Sequence, residues 1–149
     1  MQRMFVVVLA TAVVAVTWLS VALAQVGDHF DTARTATIKG TVVEFAVGPG
    51  PRSYLLIETK DATGKPETWA VQGNGVGVLI KAGWNVREQV KLGSMITATT
   101  YALKSNAPAV EVPPNASDRV VKAVSAQRLA HGIDVTFPDG KTLPFGPSK

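Results

Sequence analysis

Four side chains offer this sequence its recognition chemistry: Arg52, Tyr54, Trp69 and Tyr101. Aromatic faces stack on bases or on the apolar side of sugar rings, and an arginine beside them holds an anion. The opposing role is structural, because tryptophans in a small domain more often close the core. Trp84, which follows an expected helix end, is read that way, as a plug at the bottom of the fold. Trp69 lies mid-strand and could face either way.

A second group, Asp28, His29 and Asp31, places three potential metal ligands within four residues. One histidine with two flexible carboxylates makes a weak site, and domain ends are mobile, so no metal is assigned. His131 stands beside Gly132 and is expected in a surface turn. Gly73-Asn74-Gly75-Val76-Gly77 precedes a helical pattern, where backbone amides attract anions. It lacks the Gly-Lys-Ser/Thr ending of a phosphate loop and no βαβ unit surrounds it, so a strand-to-helix turn explains it.

No catalytic set can be assembled. Ser53, Ser94, Ser105, Ser117 and Ser125 have no histidine–carboxylate partners in a recognisable pattern. Glu44 and Glu58 sit on neighbouring strands, in patterns that suggest exposure rather than a buried cleft. The chain contains no cysteine, which excludes thiol catalysis, zinc–cysteine sites, iron–sulfur clusters and covalent haem. No cofactor is expected, and the reading is non-enzymatic.

The elements that must position these side chains begin after a leader. Residues 1–3 carry one positive charge, residues 4–24 carry none, and Ala22-Leu23-Ala24 has the small-x-small form that a signal peptidase accepts. Residues 1–24 are therefore expected to be a signal peptide. A retained membrane anchor is the rival, because the stretch is long enough to span a bilayer. Residues 25–149 form one domain, periplasmic or secreted if the leader is cleaved and membrane-anchored if it is not. The formal charge of +4 is spread over scattered lysines and arginines without a stripe for phosphates, which argues against nucleic acid.

Within the domain, residues 34–47 read as a long strand with Gly40 marking a bulge, and residues 48–51 break it. Residues 53–60 and 67–72 form a hairpin around the turn at Asp61-Ala62-Thr63-Gly64-Lys65. Val76, Leu79 and Ile80 recur at helical spacing before Gly83, and residues 84–90 offer a further helical turn. Residues 95–103 are a strand, residues 104–118 a proline-containing loop, and residues 120–129 a strand. Residues 133–143 are expected to form a terminal hairpin turning at Pro138-Asp139-Gly140-Lys141. The predicted fold is mainly β: a small OB-fold-like five-stranded barrel, one short helix between strands 3 and 4, and a C-terminal hairpin.

Several segments carry a resemblance. They are Phe30-Asp31 through Lys39-Gly40-Thr41-Val42, then Trp69, Asn74, Leu79, Gly83-Trp84, Lys91-Leu92-Gly93, and the closing Asp139-Gly140-Lys141-Thr142-Leu143. Through them the chain resembles an uncharacterised family of small bacterial periplasmic proteins with an OB-like domain of unknown function. The resemblance implies export and a small β-barrel, and no established activity. Members commonly open on His-His-Ser-Phe and place Asn-Pro-His after the first strand. Here Asp28-His29-Phe30 and Gly48-Pro49-Gly50-Pro51-Arg52 stand instead.

The expectation is an exported binding or accessory module. Its contact surface is placed around Arg52, Tyr54, Trp69 and Tyr101, with the 48–52 and 104–118 loops, for an anionic or sugar-like small ligand. A periplasmic or membrane protein is the other partner considered. The alternatives are a membrane-anchored subunit of a larger complex and a small metal-handling protein using Asp28 and His29.

Overall fold

The computed structural model describes residues 26–47 and 52–147. The expected leader, residues 1–24, and the strand-ending segment at 48–51 lie outside the described residues. No helix among the described residues is long and apolar enough to cross a membrane.

Six strands form one sheet in the order β3-β2-β1-β4-β5-β6. They are β1 (Phe30–Val47), β2 (Arg52–Lys60), β3 (Pro66–Asn74), β4 (Met95–Leu103), β5 (Leu129–Thr136) and β6 (Thr142–Pro144). All neighbours run antiparallel except β3 and β5, whose parallel pairing closes β1-β2-β3-β5-β4 into a ring. β1 serves two partners. Its first part pairs with β4 up to Thr41↔Met95, and its second pairs with β2 from Thr41↔Glu58 onward. Gly40 permits this change of partner through a close approach: a Cβ there would sit 2.2 Å from the Glu58 carbonyl oxygen. The ladder irregularities of β1 fall between Val42 and Glu44 against β2 and between Phe30 and Thr35 against β4, not at Gly40.

The β2–β3 hairpin follows directly from its turn. Asp61 Oδ1 accepts hydrogen bonds from the Thr63 amide at 2.8 Å, the Thr63 hydroxyl at 2.6 Å and the Lys65 amide at 3.0 Å. Gly64 supplies the left-handed φ of +85°.

Two helices lie between β3 and β4, α1 (Val76–Lys81) and α2 (Val86–Gln89), where one was expected. A larger correction concerns residues 120–129. The expected strand is instead α3 (Asp118–Ser125), and the fifth strand is the first arm of the terminal hairpin, β5–β6. Valines gave the segment a strand-like look, but local chemistry selects the helix. Ser117 caps it, its hydroxyl accepting from the Val120 amide at 3.4 Å. Val120 and Ala123, one turn apart, then bury on the same face.

The core has two parts because β2 is covered on both sides. Leu55 and Ile57 point into the ring with Val42, Val71, Ile96, Ala98 and Val135. Tyr54 and Leu56 point outward and are roofed by Val120 and Ala123 of α3, with Phe30, Ala70 and Leu129. One end of the ring is plugged. Trp84 donates its indole N–H to the Pro144 carbonyl at 2.7 Å and meets Phe137 edge-on, with ring centroids 5.1 Å apart. Phe145 completes the plug, its ring pressed where Gly73 and Gly132 lack side chains. A Cβ at either glycine would come within 2.6 Å or less of that ring.

Phe145 is completely buried. Phe145→Ala is expected to lower unfolding free energy by about 3–5 kcal/mol in urea titration, the usual cost of an unfilled aromatic cavity. An effect below about 1 kcal/mol would show that Phe145 does not fill the ring end.

Candidate functional site

The end of the ring opposite the plug is open. A cavity of about 340 Å³ lies there, lined by Ala36, Ile38, Thr59, Trp69, Thr100 and Ala130, with Thr37, Lys39, Glu67 and Ala102 around them. Trp69 faces inward because it pairs with Ile57, a residue of the ring interior. It is half-buried, so one part of the indole packs and the rest borders the cavity.

Glu67 fixes that indole. Its Oε1 accepts from the Trp69 indole N–H at 2.9 Å and lies 3.5 Å from the Thr59 hydroxyl. Its Oε2 lies 3.3 Å from Arg128 Nε. Arg128 arrives at this place through the end of α3. Gln127 takes a left-handed φ of 57°, its amide donates to the Val124 carbonyl, and the Arg128 amide donates to Ala123 at 2.8 Å. This is the Schellman ending, normally built with glycine. The Arg128 carbonyl then accepts from the Ala70 amide at 2.9 Å, fastening the helix end to β3.

The other nominated residues sit on the outer face. Register places Tyr101 opposite His131, His131 beside Gln72, and Gln72 opposite Tyr54, one row across four strands. Arg52 is on β2 two residues before Tyr54, near enough for its charge to act on both Tyr54 and His131. Arg52, Tyr54 and Tyr101 therefore come together, while Trp69 is separated from them by the thickness of the sheet. Tyr54 is buried rather than displayed on an open strand face.

His131 is a correction to the sequence reading. It lies within β5 with 5% of its surface exposed, not in a surface turn. Its ring stacks on Tyr101, with centroids 6.5 Å apart and planes 7° from parallel, and lies 5.3 Å from the Phe30 ring. Burial, and then the nearby Arg52 guanidinium, lower its pKa to about 4. Burial likewise pushes the Tyr54 phenol up, with Arg52 opposing the shift.

Asp28, His29 and Asp31 do not converge, and no metal-holding group of three or more such residues occurs among the described residues. Asp31 is engaged locally instead. Its carboxylate accepts from Arg34 Nε at 2.8 Å and from the Ala33 amide at 3.1 Å, which holds its pKa below the usual range. Glu44 and Glu58 are not opposite one another in the ladder, and Glu44 lies 3.8 Å from Arg119.

A ring of five strands, plugged at one end and hollow at the other, defines a small, mainly β protein with a few short helices and a cavity at its open end. The family of unknown function DUF6152 matches residues 8–110, more than half of the chain, and the chain belongs to that family. No curated protein and no solved structure matches it.

The unfolded chain takes up a proton on His131 near pH 6.5, whereas the folded chain does so only near 4. Stability from this group is therefore complete above about pH 6.5 and is lost as pH falls towards 4, by on the order of 3 kcal/mol. Urea titrations across that window should show the loss, and His131→Leu should flatten it. An unchanged slope in the variant would refute the assignment.

Proposed function

We propose that this chain is an exported, non-enzymatic binding module on an OB-type barrel, and that its open mouth takes a small sugar-like ligand. The barrel reading is supported by the closed order β1-β2-β3-β5-β4, the parallel β3–β5 contact and the helices between β3 and β4. Export rests on the positively charged start, the uncharged stretch of residues 4–24 and its closing Ala22-Leu23-Ala24 triplet.

The observation that carries the ligand reading is the fixed indole of Trp69 in a cavity of about 340 Å³. That volume lies within the range of small-molecule sites. An indole face packs against the C–H side of a sugar ring, and Thr59 and Thr100 are among the polar residues that line the cavity. The state of Glu67 supports binding over catalysis. Both of its oxygens are engaged, by Trp69 and Thr59 on one side and Arg128 on the other, so it is not poised as a base. With Glu67 balanced by Arg128, Lys39 leaves the mouth with a positive balance. An acidic sugar is therefore preferred to its neutral counterpart.

Calorimetric titration of the protein with paired neutral and carboxylated monosaccharides tests this reading. The carboxylated member should bind tighter, with an advantage that shrinks as salt rises. Trp69→Ala should weaken binding at least tenfold while the far-ultraviolet circular dichroism stays unchanged. Equal binding by the variant would move the site away from Trp69, and loss of the folded spectrum would make Trp69 a core residue.

A further inference from the structure

The row on the outer face contains two polar side chains that ordinary packing does not explain. Gln72 is 2% exposed and His131 5% exposed, yet Gln72 Oε1 and His131 Nε2 have no hydrogen-bond partner among the described residues. Buried polar atoms are nearly always paired, so two adjacent orphans on neighbouring strands point to an occupant. Their one mutual contact is long, 3.5 Å between Gln72 Nε2 and His131 Nδ1.

That contact dictates what the occupant must be. If the Gln72 amide donates to Nδ1, the imidazole proton resides on Nε2, leaving a donor there and an acceptor at Oε1. If the amide is turned over, its oxygen accepts from Nδ1–H, leaving an amide donor and an acceptor at Nε2. Either arrangement offers one acceptor and at least one donor. A hydroxyl matches both, because it gives and receives at the same oxygen. A carboxylate or a metal cation would satisfy only half of the pair.

The surroundings limit its size and character. Phe30 and Tyr101 flank the imidazole, and Tyr54 lies beyond Gln72 in the same row. The backbone of Gly146 closes over the imidazole edge, where a Cβ would stand 3.3 Å from Nε2 and 2.0 Å from the Gly132 carbonyl oxygen. Val110 and Val112, from the segment between β4 and α3, pack on the same outer cluster as Tyr54 and Phe30. The walls are thus aromatic and aliphatic, with the Arg52 charge acting on the imidazole.

We propose that Gln72 and His131 form an internal binding site for a hydroxyl group, distinct from the ring mouth and walled by Phe30, Tyr54 and Tyr101. The hydroxyl comes from a resident water or from a small alcohol-bearing ligand. The imidazole stays neutral at physiological pH, which keeps both a donor and an acceptor in place.

Nuclear magnetic resonance on the full chain, nitrogen-15 labelled in histidine and glutamine, tests the site. The His131 ring should show a single protonated nitrogen at pH 7, with cross-relaxation from that proton or the Gln72 amide to a long-lived water. Phenol, which matches the aromatic walls, is then titrated in. A saturable shift of both side-chain signals identifies an alcohol-bearing ligand, whereas unchanged signals with a persistent water cross-peak identify water. Absence of both the water cross-peak and the phenol shift overturns the proposal. Gln72→Leu with His131→Leu gives an independent check. If the pair were simply unsatisfied, apolar replacement would leave Tm unchanged or raise it; a filled site predicts a fall. Should the double variant not fold, the spectra of the unaltered protein decide alone.

Discussion

Everything distinctive in this fold depends on the parallel contact between β3 and β5. It is short, with Ala70 opposite Leu129, Val71 opposite Ala130 and Gln72 opposite His131. Without it the sheet would be open and its interior shared with solvent. With it, the inward side chains of five strands face one another and exclude water. Parallel neighbours require a long crossover, and here that crossover comprises α1, α2, β4 and α3. The hydrogen bond from the Ala70 amide to the Arg128 carbonyl lets the end of that crossover start the contact.

Closure creates two different environments on the same strands. Residues 54–57 are all buried, because one side faces the ring and the other faces α3. A strand covered on both faces loses the alternation of a half-exposed one. The same double cover explains the contrast on β3. Trp69 and Val71 point inward, and Trp69 reaches the hollow end because it lies further from the Phe145 plug than Val71 does. Gln72 points outward and is trapped with His131 under the second core. A polar pair in that position must find its hydrogen bonds within the site, since bulk water is excluded.

Some of this was legible in the sequence, for physical reasons. The β2–β3 hairpin carries its own turn in Asp61, Thr63 and Gly64, so short-range chemistry fixed it. Trp84 at a helix end was read as a plug and is one. Local reading does not reveal α3, because Val120, Val121 and Val124 favour strands and its ending uses Gln127 where glycine is the usual marker. The Ser117 cap was the available signal. A histidine beside glycine suggests a surface turn for His131, and the β3–β5 contact that buries it is invisible to local reading. Separation of Trp69 from Tyr54 was likewise a matter of register, since they stand on opposite faces of one hairpin. Gln72 carried no local signal at all.

Hydrogen–deuterium exchange resolved to single amides tests ring closure most directly. If β3 and β5 are paired as described, the amides of Ala70, Gln72 and Ala130 should be among the slowest to exchange. Their opening free energy should match that of global unfolding. Exchange of these amides orders of magnitude faster than those of the β1–β2 ladder would mean that the ring is open, and both the cavity at Trp69 and the buried Gln72–His131 pair would lose their basis.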